Sequence, residues 1–149
     1  MAGVNLVHIP YKGAAPATTD LLGGQVQVMF AGLGPAIGHI KANKLRGVAV
    51  ASAKRSQALP ALPTLGETLP GFEASSWFAI FAPAAAPSEI IAKLNAEIVK
   101  VMARKDVYEQ LMAQGYEPAT GTAGELAELL RKDIARWADV IKRAGITAE

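Results

Sequence analysis

The sequence predicts an α/β protein, because short β-forming stretches alternate with helical stretches through its first fifty residues. Residues 4–9, 26–30 and 45–51 are rich in valine, isoleucine and leucine, often at alternate positions, which is typical of strands. Helices are predicted between them, at residues 18–22 and 35–43. This order of elements favours a parallel, doubly wound sheet with helices on its faces.

The second half of the sequence predicts one more strand and three amphipathic helices. Residues 72–83 form an apolar run of strand length. A helix beginning at Pro87 carries a stripe of apolar residues at steps of three and four: Ile90, Leu94, Ile98 and Val101. Two further helices begin near Asp106 and Thr122, each followed three positions later by a glutamate, which is the spacing of a capping box. Gly145 ends the last helix, whose apolar stripe is Leu126, Leu130, Ile134, Trp137 and Ile141.

Composition excludes several classes of protein. Hydrophobic residues make up 51% of the 149 residues and charged residues 19%, which excludes a disordered chain. The net charge of +2 is spread along the sequence, so we expect no nucleic-acid partner. The absence of cysteine excludes disulfides, thiol catalysis and thiolate metal sites.

Catalytic and metal-binding motifs are also missing from the sequence. His8 and His39 have no partner at metal-ligand spacing, and Ser75 and Ser76 have no nucleophile motif around them. We therefore predict no catalytic residue, no metal and no cofactor. The first residues lack the pattern of a secretion signal and begin almost directly with a predicted strand. We expect the chain to be part of a longer protein.

Two turns of small residues follow the first two predicted strands, around Gly13 and Gly32. Each turn leads into a helix, and the N–H groups of a helix start bind anions without charged side chains. Small residues also permit tight packing of a helix against a sheet, which is the alternative reading of both turns. Lys12 is either a partner for a bound carboxylate or a solvated surface charge, and Tyr11 either packs or lines the crevice.

Three segments of the sequence resemble a known family in the same order. They are HIPYKGAAPATTDLLGGQVQVMFAGLGPAIGHIKANKLRGVAVAS, then PTLGETLPGFEASSWFAIFAPAAAPSEIIAKLNAEI, and a tail that runs to WADVIKRAGI. This order is similar to that of the tripartite tricarboxylate transporter substrate-binding proteins, the TctC or Bug family of periplasmic solute receptors. The resemblance covers essentially the whole chain and is to the C-terminal half of such proteins, which are about twice as long.

The resemblance implies a type II periplasmic-binding-protein fold, in which two lobes close on a small carboxylate. Residues 1–75 would form the second α/β lobe. Residues 76–149 would form a crossover strand and C-terminal helices that belong largely to the first lobe. The apolar stripes of the last three predicted helices need a surface to pack on, and the few short strands of the first half have their own helices to cover them. The assignment to the first lobe explains where these stripes would be buried. It also implies a periplasmic location.

The resemblance further implies a ligand site at the two turns, where main-chain groups and ordered waters hold the carboxylate. Relatives often carry serine or threonine at the position of Ala14, and many carry aspartate at that of Ala31. Both are alanine here, so side-chain hydrogen bonds at these positions are lost. The predicted ligand-binding residues are Tyr11, Lys12, Gly13, Ala14, Ala15, Pro16, Phe30, Ala31, Gly32 and Leu33.

The function that the resemblance implies is solute binding, not catalysis. The ligand would be a dicarboxylate or tricarboxylate, an aromatic acid or an acidic amino acid, delivered to a membrane permease. An alternative is a truncated relative that acts as an interaction module, forming a homodimer through its unpartnered helices. A third hypothesis, an α/β enzyme acting on a carboxylate, finds no base, nucleophile or metal cluster to support it.

Overall fold

The computed structural model describes residues 2–146 and forms five α-helices within that range. They are α1 (Ala14–Leu22), α2 (Leu33–Lys41), α3 (Ser88–Met102), α4 (Lys105–Ala113) and α5 (Ala123–Ala144). A short 3-10 turn covers Leu65–Glu67. None of the helices in the described range is both long and apolar enough to cross a membrane.

The chain divides into two compact units. The first comprises the described residues up to Ile80 together with Lys105–Pro118, and it contains α1, α2 and α4. The second comprises Phe81–Arg104 and the described residues from Ala119 onward, and it contains α3 and α5. The chain therefore leaves the first unit after residue 80 and returns to it for α4.

The strands predicted at residues 4–9, 26–30, 45–51 and 72–83 are wrong as elements of this structure. Between residues 2 and 146, the β-pairing is limited to one isolated parallel bridge, which joins Val50 and Thr64. A strand needs the backbone of a neighbour to complete its ladder, and β-forming composition alone does not supply one. The alternating apolar residues of these segments are instead exposed: Val7, Phe30, Val48 and Phe78 are 82%, 70%, 72% and 82% accessible.

Three backbone hydrogen bonds lie at this bridge and beside it. The Val50 N–H donates to the Pro63 carbonyl at 2.9 Å, and the Leu65 N–H donates to the Val50 carbonyl at 2.8 Å. On the following residue, the Ala51 carbonyl accepts from the Ala74 N–H at 2.9 Å. Chain from both sides of the 3-10 turn is thus attached to residues 50 and 51.

The two ends of α5 follow local sequence signals, whereas the start of α4 does not. Thr122 and Glu125 form the predicted capping box at the start of α5, and Gly145 ends that helix in the left-handed conformation. The capping box predicted at Asp106 is wrong, because α4 begins one residue earlier, at Lys105. Asp106 therefore lies inside the first turn, where a negative charge complements the helix dipole.

Helices α1 and α2 begin earlier than predicted. The structure starts α1 at Ala14, four residues before the predicted start, and α2 at Leu33, two residues before. The reason is that a proline in the first turn loses no intrahelical hydrogen bond, so both helices extend past their proline to a glycine N-cap. Gly13 caps α1 with φ 128° and ψ 176°, whereas Gly32 caps α2 with φ −60° and ψ 142°.

The two glycine caps predict opposite responses to the same substitution. Gly13→Ser should destabilise the chain by about 1–3 kcal/mol, because a side chain is strained at this positive φ. Gly32→Ser should leave stability unchanged or raise it by a few tenths of a kcal/mol, because serine is a favoured N-cap and this backbone suits it. Urea unfolding of both variants measures the difference, and equal effects at the two positions would contradict the assigned backbone.

An exposed ion pair holds the 3-10 turn against the preceding loop. The Arg55 guanidinium donates from Nε to Glu67 Oε1 at 2.9 Å and from Nη2 to Glu67 Oε2 at 2.7 Å. Glu67 Oε1 also accepts the Thr64 N–H at 3.0 Å, within a capping box. These hydrogen bonds, the Arg55 contribution foremost, lower the pKa of Glu67 from 4.5 to about 2.

This lowered pKa gives a pH dependence of known sign. The stabilisation by the Glu67 carboxylate is present above pH 4.5, its unfolded pKa, and is lost as the pH falls towards 2. Glu67→Gln should therefore be less stable than wild type at pH 6, and the gap should shrink between pH 4.5 and 2. Urea midpoints across this range test the prediction, with Glu109→Gln on α4 as the control. A gap that stays constant with pH would contradict it.

Candidate functional site

Two helix starts in the first unit share one local pattern. The residues are Gly13-Ala14-Ala15-Pro16 at α1 and Gly32-Leu33-Gly34-Pro35 at α2. In each, a glycine is the N-cap and a proline is the third helical residue. Neither start has a side-chain cap hydrogen bond, and neither first turn carries an acidic residue. The start of α5 differs, since Thr122 and Glu125 cap it.

The pattern leaves backbone donors at both helix starts. The first N–H groups of a helix have no intrahelical acceptor, and proline removes one of them. Each start therefore offers the N–H groups of the cap glycine and the next two residues. Gly13, Ala14, Ala15 and Gly32 are exposed, and Leu33 and Gly34 are partly exposed. Partial positive charge at a helix start favours an anion, by about 0.3–1 kcal/mol when exposed.

Side chains within the first unit hold the α1 start in place. The Tyr11 hydroxyl donates to Asp20 Oδ2 at 2.7 Å, which ties the residues before Gly13 to the last turns of α1. Thr18 and Thr19 donate back to the carbonyls of Ala14 and Ala15, at 2.8 and 3.2 Å.

One contact connects α1 with the segment that leads into α2. Thr18 Oγ1 lies 3.9 Å from Met29 Sδ, within hydrogen-bonding range for sulfur. Thr18 is in the second turn of α1, and Met29 stands three residues before the Gly32 cap. The contact therefore joins the elements that carry the two predicted turns.

The Tyr11 hydroxyl already donates a hydrogen bond to Asp20, which limits what it can offer a ligand. The hydrogen bond to Asp20, followed by burial and the charge of that carboxylate, raises the pKa of Tyr11 above its ordinary value of 10.0. The phenol therefore stays protonated and donates to Asp20. Its predicted place among the ligand-binding residues then rests on its ring. Lys12, the next residue, is exposed.

The start of α2 packs closely against the chain that follows α4. A Cβ on Gly34 would lie 2.8 Å from the Tyr116 hydroxyl and 3.1 Å from the Gln114 carbonyl. A Cβ on Gly115 would lie 3.2 Å from the Gly34 nitrogen, and Gly115 also has a positive φ of 80°. Only glycines permit this approach. The Tyr116 ring also makes an edge contact with Phe78, with centroids 5.7 Å apart.

The sequence did not indicate this contact, because 81 positions separate Gly34 from Gly115. The signals in the sequence that could have indicated this contact were the repeated Gly-x-x-Pro pattern and Gly115, just after α4. Gly115 is equally well explained as an ordinary helix end, so it did not point to a contact. Residues 114–116 are thus neighbours of the predicted site that the predicted residues do not include.

A shallow groove of about 390 Å³ runs along the flank of α2. Its wall on α2 includes Gly34, Ile37 and Gly38, and its opposite wall includes Gln114 and Tyr116. The residues predicted to bind ligand, 11–16 and 30–33, do not line it. The groove is a gap between a helix and a turn, whereas the predicted site is formed by helix starts. In residues 2–146 no cluster of three histidine, aspartate or glutamate side chains is placed to hold a metal.

The sequence comparisons identify the family. The model for the tripartite tricarboxylate transporter family receptor, TctC, matches residues 1–146. The chain belongs to this family, whose members are substrate-binding receptors.

Curated relatives and solved structures agree with that assignment. A UPF0065 protein in the tcbD-tcbE intergenic region of Pseudomonas sp. strain P51 is 39% identical over 99% of this chain. Protein BugT of Bordetella pertussis is 39% identical over 97% of the chain. Each match covers 44% of the relative. The chain thus spans about half the length of these relatives.

Three solved structures extend the comparison to the fold. The R. palustris protein Rpa4515, solved with adipate, has a TM-score of 0.90 and 36% identity, and the match covers 99% of this chain and 50% of that protein. The periplasmic binding protein BugD has a TM-score of 0.83 and 35% identity over 99% of this chain and 50% of BugD. MatC of Rhodopseudomonas palustris, solved with malate, has a TM-score of 0.75 and 32% identity over 93% of this chain and 48% of MatC.

Proposed function

We propose that this chain is part of a periplasmic receptor that captures a small dicarboxylate for a tripartite tricarboxylate transporter. The observation that carries the proposal is the pair of uncapped helix starts at α1 and α2, in a chain of this receptor family. Two structural neighbours were solved with the dicarboxylates adipate and malate. We therefore narrow the carboxylate class to a dicarboxylate of four to six carbons.

The binding mechanism uses backbone donors in place of charged side chains. One ligand carboxylate accepts hydrogen bonds from N–H groups of the turn 11–16, and Lys12 adds a positive charge beside that carboxylate. The turn 30–33 supplies further donors. A charge-assisted hydrogen bond contributes roughly 1.5–3 kcal/mol net, and micromolar affinity requires about 8 kcal/mol. Three or four such bonds, with the helix dipoles, reach this range. The proposed ligand-binding residues are Tyr11, Lys12, Gly13, Ala14, Ala15, Pro16, Phe30, Ala31, Gly32 and Leu33.

The proposal includes the lobe arrangement of a type II binding protein. Residues 1–75 belong to the second lobe, and residues 76–149 supply the crossover and the helices that complete the first. Closure of the two lobes on the ligand gives the membrane permease a surface to recognise. The half-length match to the relatives and the exposed apolar segments support this arrangement.

A charge placed at the α1 start tests the proposed site. Ala14→Asp puts a carboxylate on the first helical residue, where it should stabilise α1 by about 0.3–1 kcal/mol through the helix dipole. The same charge competes with a ligand carboxylate, so the affinity for malate or adipate should fall at least about tenfold, or 1.4 kcal/mol. Binding and stability should therefore change in opposite directions.

Isothermal titration of the chain with malate, adipate and the uncharged diester of each measures the first effect, and thermal unfolding measures the second. Ala123→Asp is the matched control, because Ala123 is the first helical residue of α5. It should leave affinity unchanged. Wild-type chain that binds neither dicarboxylate, or an Ala14→Asp chain that binds as tightly as wild type, would contradict the proposed site.

A second candidate function is self-association, and the exposed surface favours it. Large apolar side chains are exposed in each unit of the described range, for example Phe78 and Ile80 in the first unit. On α5 the exposed residues of the apolar stripe include Ile134, Trp137 and Ile141. A homodimer would cover part of this surface.

Light scattering coupled to size exclusion tests self-association. We expect a concentration-dependent dimer for the wild type and a monomer for Ile134→Glu, because Ile134 is 61% exposed at the middle of the α5 stripe. Ala135→Glu is the matched control, since its position is also exposed and lies outside the apolar stripe, about 100° around α5 from Ile134. A monomeric wild type at hundreds of micromolar would rule out the homodimer.

A further inference from the structure

One carboxylate oxygen of Glu117 fastens a loop to the chain that follows α4. Glu117 Oε1 accepts the Ser56 hydroxyl at 2.7 Å and the Gln57 N–H at 2.8 Å. Ser56 is only 6% exposed, and its Oγ also accepts the Ala58 N–H at 3.2 Å. These bonds join residues 61 and 60 positions apart in the sequence. The oxygen of Glu117 therefore fixes the position of the loop 56–58 relative to the α4 end.

A second contact strengthens the same attachment. The Tyr108 hydroxyl, from the first turns of α4, donates to Gln57 Oε1 at 3.2 Å. On the other side of the loop, Arg55 is held by Glu67 at two points. The loop is thus tied both to α4 and to the 3-10 turn. We call the loop 56–58 together with Glu117 the Glu117 latch.

The latch lies next to the residues that pack on α2. Gly115 precedes Glu117 by two residues, and its backbone approaches the Leu33–Gly34 peptide closely enough that a Cβ would be 3.2 Å from the Gly34 nitrogen. Tyr116 covers the flank of Gly34. The Gly34 N–H is one of the three donors at the α2 start. A shift of residues 115–116 would therefore change the position and the solvent access of that donor.

We infer that Glu117 is a positioning residue for the α2 half of the ligand site, acting through Gly115 and Tyr116. The binding part of this inference rests on the proposed function. Glu117 is not part of the donor set, because its carboxylate accepts hydrogen bonds and would repel a ligand of like charge. The positioning by Glu117 depends on its acceptor oxygen, so glutamine at this position should preserve the positioning.

Three variants separate positioning from a general loss of stability. Glu117→Ala removes the acceptor, Glu117→Gln retains an acceptor oxygen, and Glu109→Ala is the control on the exposed face of α4. The first readout is the amide NMR spectrum of the ligand-free chain, observed at Leu33 and Gly34. The second is malate affinity by isothermal titration.

We expect Glu117→Ala to shift the Leu33 and Gly34 amides and to weaken malate binding about 2- to 10-fold, the range for losing one net hydrogen bond. Glu117→Gln should keep both wild-type amide positions and affinity within about twofold. Glu109→Ala should match the wild type. Ser56→Ala removes one of the two donors to Glu117, so it should shift the same amides by a smaller amount. This variant replaces Glu117→Ala in the test if Glu117→Ala unfolds.

Two outcomes would overturn the inference. One is that the Leu33 and Gly34 amide resonances stay at their wild-type positions in both Glu117→Ala and Ser56→Ala, when circular dichroism shows that these variants are folded. The other is Glu117→Gln behaving like Glu117→Ala, which would exclude the acceptor role. If the wild type binds no dicarboxylate, the proposed function fails, and the amide spectra still decide whether Glu117 positions the α2 start.

Discussion

The constraint on which the site depends is the need of backbone N–H groups at a helix start for an acceptor. Four N–H groups begin every helix without an intrahelical partner. In α5 a threonine and a glutamate satisfy part of this need, and the first turn of α3 carries Glu89. Helices α1 and α2 have neither device. Their donors must be satisfied by water or by an anion, and a carboxylate satisfies several at once.

A second constraint acts on the apolar surface. Within the described residues the buried hydrophobic side chains are Ala17 and Ile37, one on each of the helices that carry the proposed site. Large side chains elsewhere, such as Phe78 and Ile134, are exposed. Apolar area of this extent favours burial by about 25 cal/mol per Å², so it drives contact with further polypeptide. The half-length match to the solved receptors is consistent with that need.

The sequence predicts the elements whose causes are local and misses those whose causes are distant. The α5 capping box and its Gly145 end follow from residues within one turn of each other, so both predictions are confirmed. The strands are wrong because a ladder needs a neighbouring backbone, and composition at residues 4–9 carries no information about one. The approach of Gly115 to Gly34 and the hydrogen bonds of Glu117 to residues 56 and 57 likewise join residues that are far apart in the sequence. Membership in the receptor family, by contrast, was recognisable from the sequence because three separated segments keep their order.

The central claim is that helix-start N–H groups form the carboxylate site, and an amide-resolved NMR titration of the chain with adipate tests it most directly. The account predicts saturable shifts concentrated at Gly13, Ala14 and Ala15 and at Gly32, Leu33 and Gly34. The amides at the start of α3, where Pro87 is the N-cap and Glu89 is in the first turn, should not shift. Shifts confined to the groove residues Gly38, Gln114 and Tyr116, or spread evenly over all helix starts, would contradict the claim.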